Sequence, residues 1–267
     1  RGTWNAKVYN YNSERGIPGA IVNNVWRRGE RVWDTNSFFQ GSFVKEVNDQ
    51  FKTQVNAKYA FYRTHYVNND DKLIEVDNLY KQREVYVSTA NMYTIFPFWD
   101  VSMSYDFQWN EMKADMYGFV FPTRFTNLLS IATALRLGKV KLQGSGLATF
   151  VNDRVKEGPA PKARQILTPA VFLSYKLFDK HDFSLRAFYK KTFRMPTFND
   201  LYYADMGNSK LDPEYVTQYN LGTVYQKQWG NKLFRHFKIQ ADGYYNYVKD
   251  KIIAYPKGQQ FRWTMLN

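Results

Sequence analysis

The chain has 267 residues, a net charge of +13, no cysteine and an aromatic content of 18%. The lack of cysteine excludes disulfides and thiolate metal sites, and the lack of any run of 18 apolar residues excludes a transmembrane helix. The positive charge suits an anionic partner, but Lys and Arg never form runs of five or more, which argues against nucleic acid.

Alternation of apolar and polar side chains is the strongest pattern along the chain. It is clear in residues 51–61 and complete in residues 101–110, where every odd position is apolar and every even position is polar. The pattern returns in residues 183–190 and 237–247. A period of two predicts β-strands with one apolar and one polar face.

The same criterion, applied to the whole chain, predicts about eleven long strands. Their approximate ranges are 2–13, 31–47, 51–67, 80–96, 99–113, 124–137, 140–153, 164–178, 183–195, 213–228 and 236–249. Tight links alternate with long ones, the tight ones near 47–50, 96–98, 137–139 and 179–181, the long ones near 14–30, 68–79, 114–123, 154–163, 196–212 and 250–267. This alternation predicts an antiparallel up-and-down meander with all long loops at one end.

Long loops at one end are typical of outer-membrane β-barrels, whereas a soluble β-sandwich usually mixes its loop lengths. The polar face also favours a barrel, because hydrogen-bonding side chains with few charges suit a hydrated interior. These side chains are Ser102, Ser104, Asp106, Gln108, Asn110, Gln143, Ser145, Gln218, Asn220, Gln240 and Asn246. We expect an all-β fold that is part of a transmembrane β-barrel. The alternative is a large soluble β-protein with aromatic-rich faces.

Residues suited to catalysis or metal binding are sparse. The three histidines are far apart in sequence, and none belongs to a metalloprotease-type pair. The segment GSGLA at 144–148 lacks the arrangement of a nucleophile elbow and lies inside a predicted strand. No phosphate-binding glycine loop is present, and Asp70 and Asp71 lie in a predicted loop, where solvated charge is expected. The sequence therefore predicts no enzyme, no cofactor and no metal site.

Two short motifs follow one another near the end of the chain. FRMPT at 193–197 is followed by a Leu-Tyr pair and then by GNSKLDPE at 207–214. This order resembles the TonB-dependent outer-membrane receptors, in which an aromatic-Arg-x-Pro-Thr element precedes Gly-Asn-x-x-Leu-x-Pro-Glu. The matching residues are Phe193, Arg194, Pro196, Thr197, Leu201, Tyr202, Gly207, Asn208, Leu211, Pro213 and Glu214. Residues 15–20, 33–41 and 246–250 are similar to other parts of the same family.

The resemblance implies active import across the outer membrane of a Gram-negative bacterium. Such receptors have a 22-stranded barrel filled by an N-terminal plug domain, and TonB supplies energy from the inner membrane. Compared with that pattern, we expect residues 1–267 to lack the plug, the TonB-contacting box, the closing strands and the terminal aromatic residue. We expect residues 1–267 to be a partial β-barrel domain with open edges, in contact with outer-membrane lipid and coupled to TonB through the missing plug.

Aromatic and cationic residues in or near the long loops are the ligand-binding candidates. They are Trp33, Phe198, Tyr202, Tyr203 and Trp263 among the aromatics, and Arg27, Arg28, Arg31 and Arg194 among the cations. Flat apolar surfaces beside cationic donors would suit an anionic metal chelate or a corrinoid. No histidine lies between Phe193 and Leu211, which argues against haem without closing that route. FRMPT has a second interpretation as a proline-stiffened structural corner.

Three classes of function remain open. The main prediction is TonB-dependent uptake of a scarce ligand of the iron-siderophore, cobalamin or haem type. The alternatives are a passive outer-membrane porin or adhesive barrel, and a soluble β-rich ligand-binding module. TonB-dependent uptake requires a plug and an energy source, and a passive barrel requires neither. A soluble module would stay folded without detergent.

Overall fold

A computed structural model describes residues 2–17, 30–68, 75–158, 160–178, 182–202, 207–228, 236–257 and 262–267. Its strands are β1 (Gly2–Ile17), β2 (Glu30–Glu46), β3 (Phe51–Asn68), β4 (Val76–Phe96), β5 (Trp99–Ala114), β6 (Thr123–Leu137), β7 (Val140–Arg154), β8 (Arg164–Lys176), β9 (Asp182–Arg194), β10 (Glu214–Gln228), β11 (His236–Lys249), β12 (Ile253–Lys257) and β13 (Arg262–Leu266). One short helix, α1 (Phe198–Tyr202), lies between β9 and β10. Strands β1 to β11 form one sheet in chain order, and β12 pairs with β13 in a separate hairpin.

The predicted meander is confirmed, because each of the eleven predicted strands corresponds to one strand of the large sheet and every neighbouring pair is antiparallel. The largest differences are at β1, which continues to Ile17, and at β4, which begins at Val76. The sequence predicts loops at 196–212 and 250–267, which is wrong where helix α1 and strands β12 and β13 lie. Each of them has five residues, which is too short for a periodic pattern to be recognised.

Strand register divides the sheet into two faces, because directly paired residues of antiparallel strands point to the same side. We call the face that carries Met103 and Ile131, which are paired, the outer face. The inner face carries Asn110 and Arg124, which are also paired. All of the predicted polar-face residues, from Ser102 to Asn246, share the inner face by the same pairing rule. The predicted alternation is therefore confirmed.

The outer face carries a broad band of exposed apolar side chains. Examples from successive strands are Trp4, Val8, Phe39, Tyr59, Val87, Met103, Ile131, Phe150, Leu167, Leu221, Ile239 and Tyr245. A monomeric soluble protein rarely exposes a continuous apolar surface of this extent. A band of alternating outward apolar residues is typical of strands that contact lipid.

The two ends of the sheet are built differently, and we call them the turn edge and the loop edge. At the turn edge, the Asn48 side chain accepts the backbone N–H of Gln50 at 3.0 Å and of Phe51 at 2.7 Å, which closes the β2–β3 turn. Gly138 has a φ of +57° in the two-residue β6–β7 turn, a conformation that favours glycine. The described connections at the loop edge are longer, as predicted.

The two clusters of packed, buried apolar side chains in the described residues lie at the loop edge. One cluster packs against the inner face and contains Tyr80, Met112, Ala114, Phe119 and Phe198. A second cluster joins the β9–β10 connection to the segment after β11, through Leu201, Leu211 and Ile252. This packing fixes the β9–β10 connection against the sheet.

The sheet has two open sides in the described part of the chain. Strand β1 pairs only with β2, and β11 pairs only with β10. An open strand edge presents unpaired N–H and C=O groups that another strand can satisfy. None of the helical residues described belongs to a helix long and apolar enough to cross a membrane.

We predict that a charge is tolerated on the inner face and not on the outer face. Met103→Arg places a charge within the apolar band and should lower the free energy of unfolding in lipid vesicles by about 2 to 4 kcal/mol. Ser104→Arg is the matched control, because Ser104 is the next residue and faces inward opposite Ser130. Urea unfolding of the complete protein measures both. Equal losses from the two variants would contradict the assignment of faces.

Candidate functional site

The connection between β9 and β10 folds into a compact corner, by which we mean the described residues between 195 and 213. Pro196 and Pro213 are fully buried at its two ends. The Thr197 hydroxyl accepts the backbone N–H of Asp200 at 3.1 Å, and the Thr197 N–H donates to the Asp200 carboxylate at 2.9 Å. This reciprocal cap explains why a helical turn begins directly after FRMP.

A buried arginine fastens the corner to the inner face. Arg124 on β6 donates two hydrogen bonds of 2.7 Å to the Asp153 carboxylate on β7. Its remaining terminal nitrogen donates to the backbone carbonyl of Pro196 at 2.6 Å, and its guanidinium carbon lies 5.2 Å from the ring centre of Phe198. The guanidinium therefore connects two strands to the FRMPT segment through charge-assisted hydrogen bonds and ring stacking.

Tyr202 lies beside this arginine and is half-buried. Burial, assisted by the nearby Asp153 carboxylate and opposed by Arg124, raises the pKa of the Tyr202 hydroxyl to about 12. The Tyr202 oxygen has no hydrogen-bond partner among the described residues. Tyr202 therefore stays protonated and holds an unused hydroxyl donor at the inner side of the corner.

Gly207 allows two backbone segments of the corner to touch. A Cβ atom at this position would lie 2.7 Å from the carbonyl carbon and oxygen of Leu201 and from the nitrogen of Tyr202. The neighbouring Asn208 N–H donates to the carbonyl of Asp200 at 2.9 Å. The first residues of the second motif thus close the corner onto α1.

The rest of the second motif joins the corner to the end of the chain. The Asn208 side chain donates to the Met265 carbonyl at 2.9 Å, and the Glu214 carboxylate accepts the N–H of Ile252 at 3.0 Å. Leu211 is buried against Ile252. The residues of both motifs therefore make contacts that hold the fold together. These contacts support the interpretation of FRMPT and of GNSKLDPE as parts of a structural corner.

Arg194 is the candidate cation that lies on the corner itself. Its guanidinium is 3.3 Å from the Asp200 carboxylate and 3.9 Å from Glu214, and 46% of its side chain is exposed. These pairs leave part of the guanidinium accessible at the inner side of the loop edge. Arg194 is thus both oriented and available to an anionic ligand.

A recess of about 320 Å³ lies on the inner face under the corner. Its walls combine polar and apolar side chains, which are Gln82, Glu84, Gln108, Asn110, Arg124, Thr126, Leu128, Thr149, Val151, Phe193, Met195, Thr197 and Phe198. The Asn110 side-chain oxygen and the Thr149 hydroxyl are buried without a hydrogen-bond partner among the described residues. Such a recess can satisfy hydrogen-bonding groups of a molecule or segment that enters the barrel interior.

A second recess of about 450 Å³ lies nearer the turn edge. There Arg186 on β9 reaches across β10 to the Asp242 carboxylate on β11, at 3.1 and 3.3 Å. Gly222 lies between them in the register, and a Cβ there would clash with the Asp242 side chain. The inner face is therefore polar along its length and not only under the corner.

The candidates on β2 lie away from the corner. Trp33 pairs with His65 in the register, and their ring centres are 5.3 Å apart. Arg31 forms an ion pair with Glu14 of β1. By the pairing rule these side chains belong to the outer face, whereas Phe198 packs against the inner face. The structure thus brings Arg194, Phe198 and Tyr202 together and leaves Arg31 and Trp33 apart from them.

Tyr203, Arg27 and Arg28 lie outside the described residues. Trp263 belongs to β13, where its backbone pairs with Pro256. Groups of three or more metal-binding side chains are not found among the residues described.

Sequence reasoning missed Arg124 and Asp153, which are 29 positions apart. Nothing in their local sequence distinguishes them from other polar residues of the predicted strands. Their shared position could have been found, since both lie at the loop edge of adjacent predicted strands and on the polar face. An opposite-charge pair at that place is a signal for a buried contact.

The comparison with protein families matches all residues 1–267 to the description "TonB dependent receptor-like, beta-barrel". The chain belongs to this family. Proteins of the TonB-dependent receptor family lie in the outer membrane of Gram-negative bacteria and act in transport, not as enzymes. The predicted family and the expectation of a non-enzymatic protein are therefore confirmed. No match was found among curated proteins.

Solved structures agree with the family assignment at the level of the fold. The copper transporter OprC gives a TM-score of 0.71 at 17% identity, over 90% of this chain and 43% of that protein. The FrpB iron transporter from Neisseria meningitidis gives 0.69 at 11% identity, over 100% and 45%. The ferric citrate transporter FecA gives 0.62 at 12% identity, over 92% and 44%. The chain thus spans less than half the length of each of these similar structures.

We predict that Arg124→Met detaches the corner. The variant leaves the Asp153 carboxylate buried without its partner and should lower the free energy of unfolding by about 3 to 5 kcal/mol. Limited proteolysis should cut the corner faster. Arg15→Met is the control, because the Arg15 pair with Asp34 leaves the arginine side chain 65% exposed and such pairs contribute little. A corner that resists protease in Arg124→Met would contradict the proposed fastening.

A second prediction concerns Gly207. Gly207→Ala should destabilise the corner by about 1 to 3 kcal/mol, because backbone atoms must move to admit the new methyl group. Gly146→Ala is the matched control, since a Cβ there meets no atom within 4 Å. Hydrogen exchange of the α1 and Asn208 amides measures the effect. Similar exchange rates in the two variants would show that the close approach is unimportant.

Proposed function

We propose that this chain is the partial β-barrel domain of an outer-membrane receptor for TonB-dependent uptake of a scarce ligand. The ligand would be of the iron-siderophore, cobalamin or haem type. Residues 1–267 would form about half of the barrel wall, and a plug domain in another part of the complete protein would fill the barrel and connect it to TonB. The family match over the whole chain is the observation that carries this proposal.

The similar structures support uptake of a scarce nutrient without naming it. They are a copper transporter, a ferric citrate transporter and an iron transporter, and further similar structures are a ferric-catecholate import receptor and a haemophore receptor in complex with its haemophore and haem. Because identities are between 10% and 17% for these proteins, they support a transport fold and not one ligand. Copper therefore joins the iron chelates, corrinoids and haem as a candidate.

The corner is the proposed place of ligand contact within the described residues. Arg194, oriented by Asp200 and Glu214, would pair with an anionic group. Tyr202, whose ring centre lies 6.2 Å from that of Phe198, would donate its unused hydroxyl. Tyr203 and Trp263 are proposed to add aromatic contacts near the corner. Arg31 and Trp33 would contact a ligand only above the outer face at the loop edge.

The test measures uptake by cells that carry or lack the complete gene. Labelled ferric catecholate, ferric citrate, haem, cobalamin and copper are offered singly at low concentration. We expect uptake of one of them to require the gene, TonB and an energised inner membrane. A passive barrel would instead take up the ligand in cells without TonB or treated with a protonophore. A soluble module would be found outside the membrane fraction.

The same cells test the site. Arg194→Ala should weaken binding of the accepted anionic ligand about tenfold, which corresponds to loss of one charge-assisted hydrogen bond. Arg15→Ala is the control, because it removes another exposed arginine that pairs with an aspartate on the inner face. Equal affinities in both variants would remove Arg194 from the proposed site while leaving the transport function untouched.

A further inference from the structure

Four cations form a contiguous patch on the outer face near the loop edge. Arg63 on β3 pairs with Lys81 on β4, and Lys81 pairs with Lys113 on β5. Arg83 lies two residues from Lys81 on the same face of β4. All four side chains are exposed. We call these four residues the cationic patch.

The acidic residues near the patch neutralise only one of its four cations, Lys113. Their contacts are Glu111 with Lys113 at 3.2 Å, Asp77 with His65 at 2.6 Å, and Glu14 with Arg31. Glu111 also pairs with Arg83 in the register, but no contact within ion-pair distance joins them. Within the described residues, Arg63, Lys81 and Arg83 therefore have no acidic partner.

This arrangement is unfavourable in the protein alone. Directly paired residues of an antiparallel sheet have Cβ atoms about 4.5 to 5.5 Å apart, and like charges at that distance destabilise the pairing. Three successive strands nevertheless present Arg63, Lys81 and Lys113 side by side. A bound multivalent anion would convert this repulsion into attraction.

The position of the patch indicates what kind of anion it meets. Counted from the turn edge, Arg63 is residue 13 of β3, Lys81 is residue 16 of β4 and Lys113 is residue 15 of β5. A tilted strand crosses the hydrocarbon layer in about 9 to 11 residues. The patch thus lies just beyond the length of strand that lipid tails would cover, at the height of lipid headgroups.

Apolar side chains border the patch on the side of the turn edge. Arg83 pairs with Phe61, and the next row on the outer face contains Tyr59, Val85 and Trp109. This row would contact acyl chains, while the cations above it would contact phosphate. A free phosphate ion in solution would use only the charges. A lipid would use both surfaces, and we therefore choose the lipid as the occupant.

We infer that Arg63, Lys81, Arg83 and Lys113 form a docking site for the phosphorylated headgroup of an outer-leaflet lipid. The inference rests on the proposed outer-membrane location and goes beyond ligand uptake. Clusters of Lys and Arg at a membrane surface attract anionic headgroups, with a contribution from each cation. The site would set the depth of the protein in the outer leaflet and the lipids that contact it, and it would do so independently of the transported ligand.

The test measures lipid retention by the complete purified protein. Nanodiscs contain phosphatidylcholine alone or phosphatidylcholine with diphosphorylated lipid A, and native mass spectrometry counts the lipid molecules retained. We expect lipid A to be retained and the retention to weaken as salt rises. The double variant Arg63→Gln with Lys81→Gln should bind lipid A at least about tenfold more weakly.

The matched control is Lys45→Gln with Lys191→Gln. These two lysines are also exposed on the outer face, but their register partners are uncharged, namely Gly2 and Thr53 for Lys45 and Thr217 for Lys191. The control should retain lipid A. Equal affinity of the two double variants would overturn the inference. Displacement of lipid A by inorganic phosphate at matched concentration would overturn the choice of a lipid.

Two further measurements separate folding and location from binding. The conservative exchange Arg63→Lys with Lys81→Arg keeps both charges and should keep lipid binding, and Arg83→Gln should weaken binding if the first double variant fails to fold. Loss of binding in the conservative exchange would count against a charge-based site. Absence of the protein from outer-membrane fractions would defeat the proposed function, whereas its presence there without lipid A selectivity would defeat only this inference.

Discussion

Main-chain hydrogen bonding between neighbouring strands is the constraint on which this molecule depends. The eleven strands of the large sheet have 13 to 21 residues each, and every one is paired with the next along the chain. The two clusters of buried apolar side chains in the described residues are small and lie at the loop edge, and the other buried apolar residues, such as Ala60 and Val224, are scattered singly over the sheet. The sheet therefore has backbone order without a thick core of its own, and its outer face supplies apolar surface that only another apolar phase can cover.

The corner shows how a polar barrel wall can hold a fixed loop. Arg124 and Asp153 satisfy one another at the wall, and the third arm of the guanidinium reaches the Pro196 carbonyl. Thr197 and Gly207 then set the path of the chain around α1. A loop held in this way can present Arg194 and Tyr202 in defined positions. The structural and the ligand-binding interpretations of FRMPT are thus compatible.

The fold could be predicted from the sequence because alternation is a local property, visible in residues such as Ser104 and Met103 without knowledge of their partners. The asymmetry of the loops was visible for the same reason. The corner could not be predicted, since it depends on contacts between residues far apart, such as Arg124 with Pro196. Helix α1 and the β12–β13 hairpin are each too short to produce a period. Residue type alone makes Arg31 and Trp33 ligand-binding candidates together with the corner residues. The strand register is needed to show that they lie on the opposite face of the sheet.

Strand length has a consequence for how any solute would approach. Strand β4 has 21 residues, about twice the number that a tilted strand needs to cross hydrocarbon. The surplus corresponds to a wall rising on the order of 25 Å beyond the lipid tails, from the rise per residue and the usual tilt. In the proposed outer-membrane location, a solute that approaches from the β4 side would therefore meet this raised wall first, whereas β8 and β9, with 13 residues each, would rise much less.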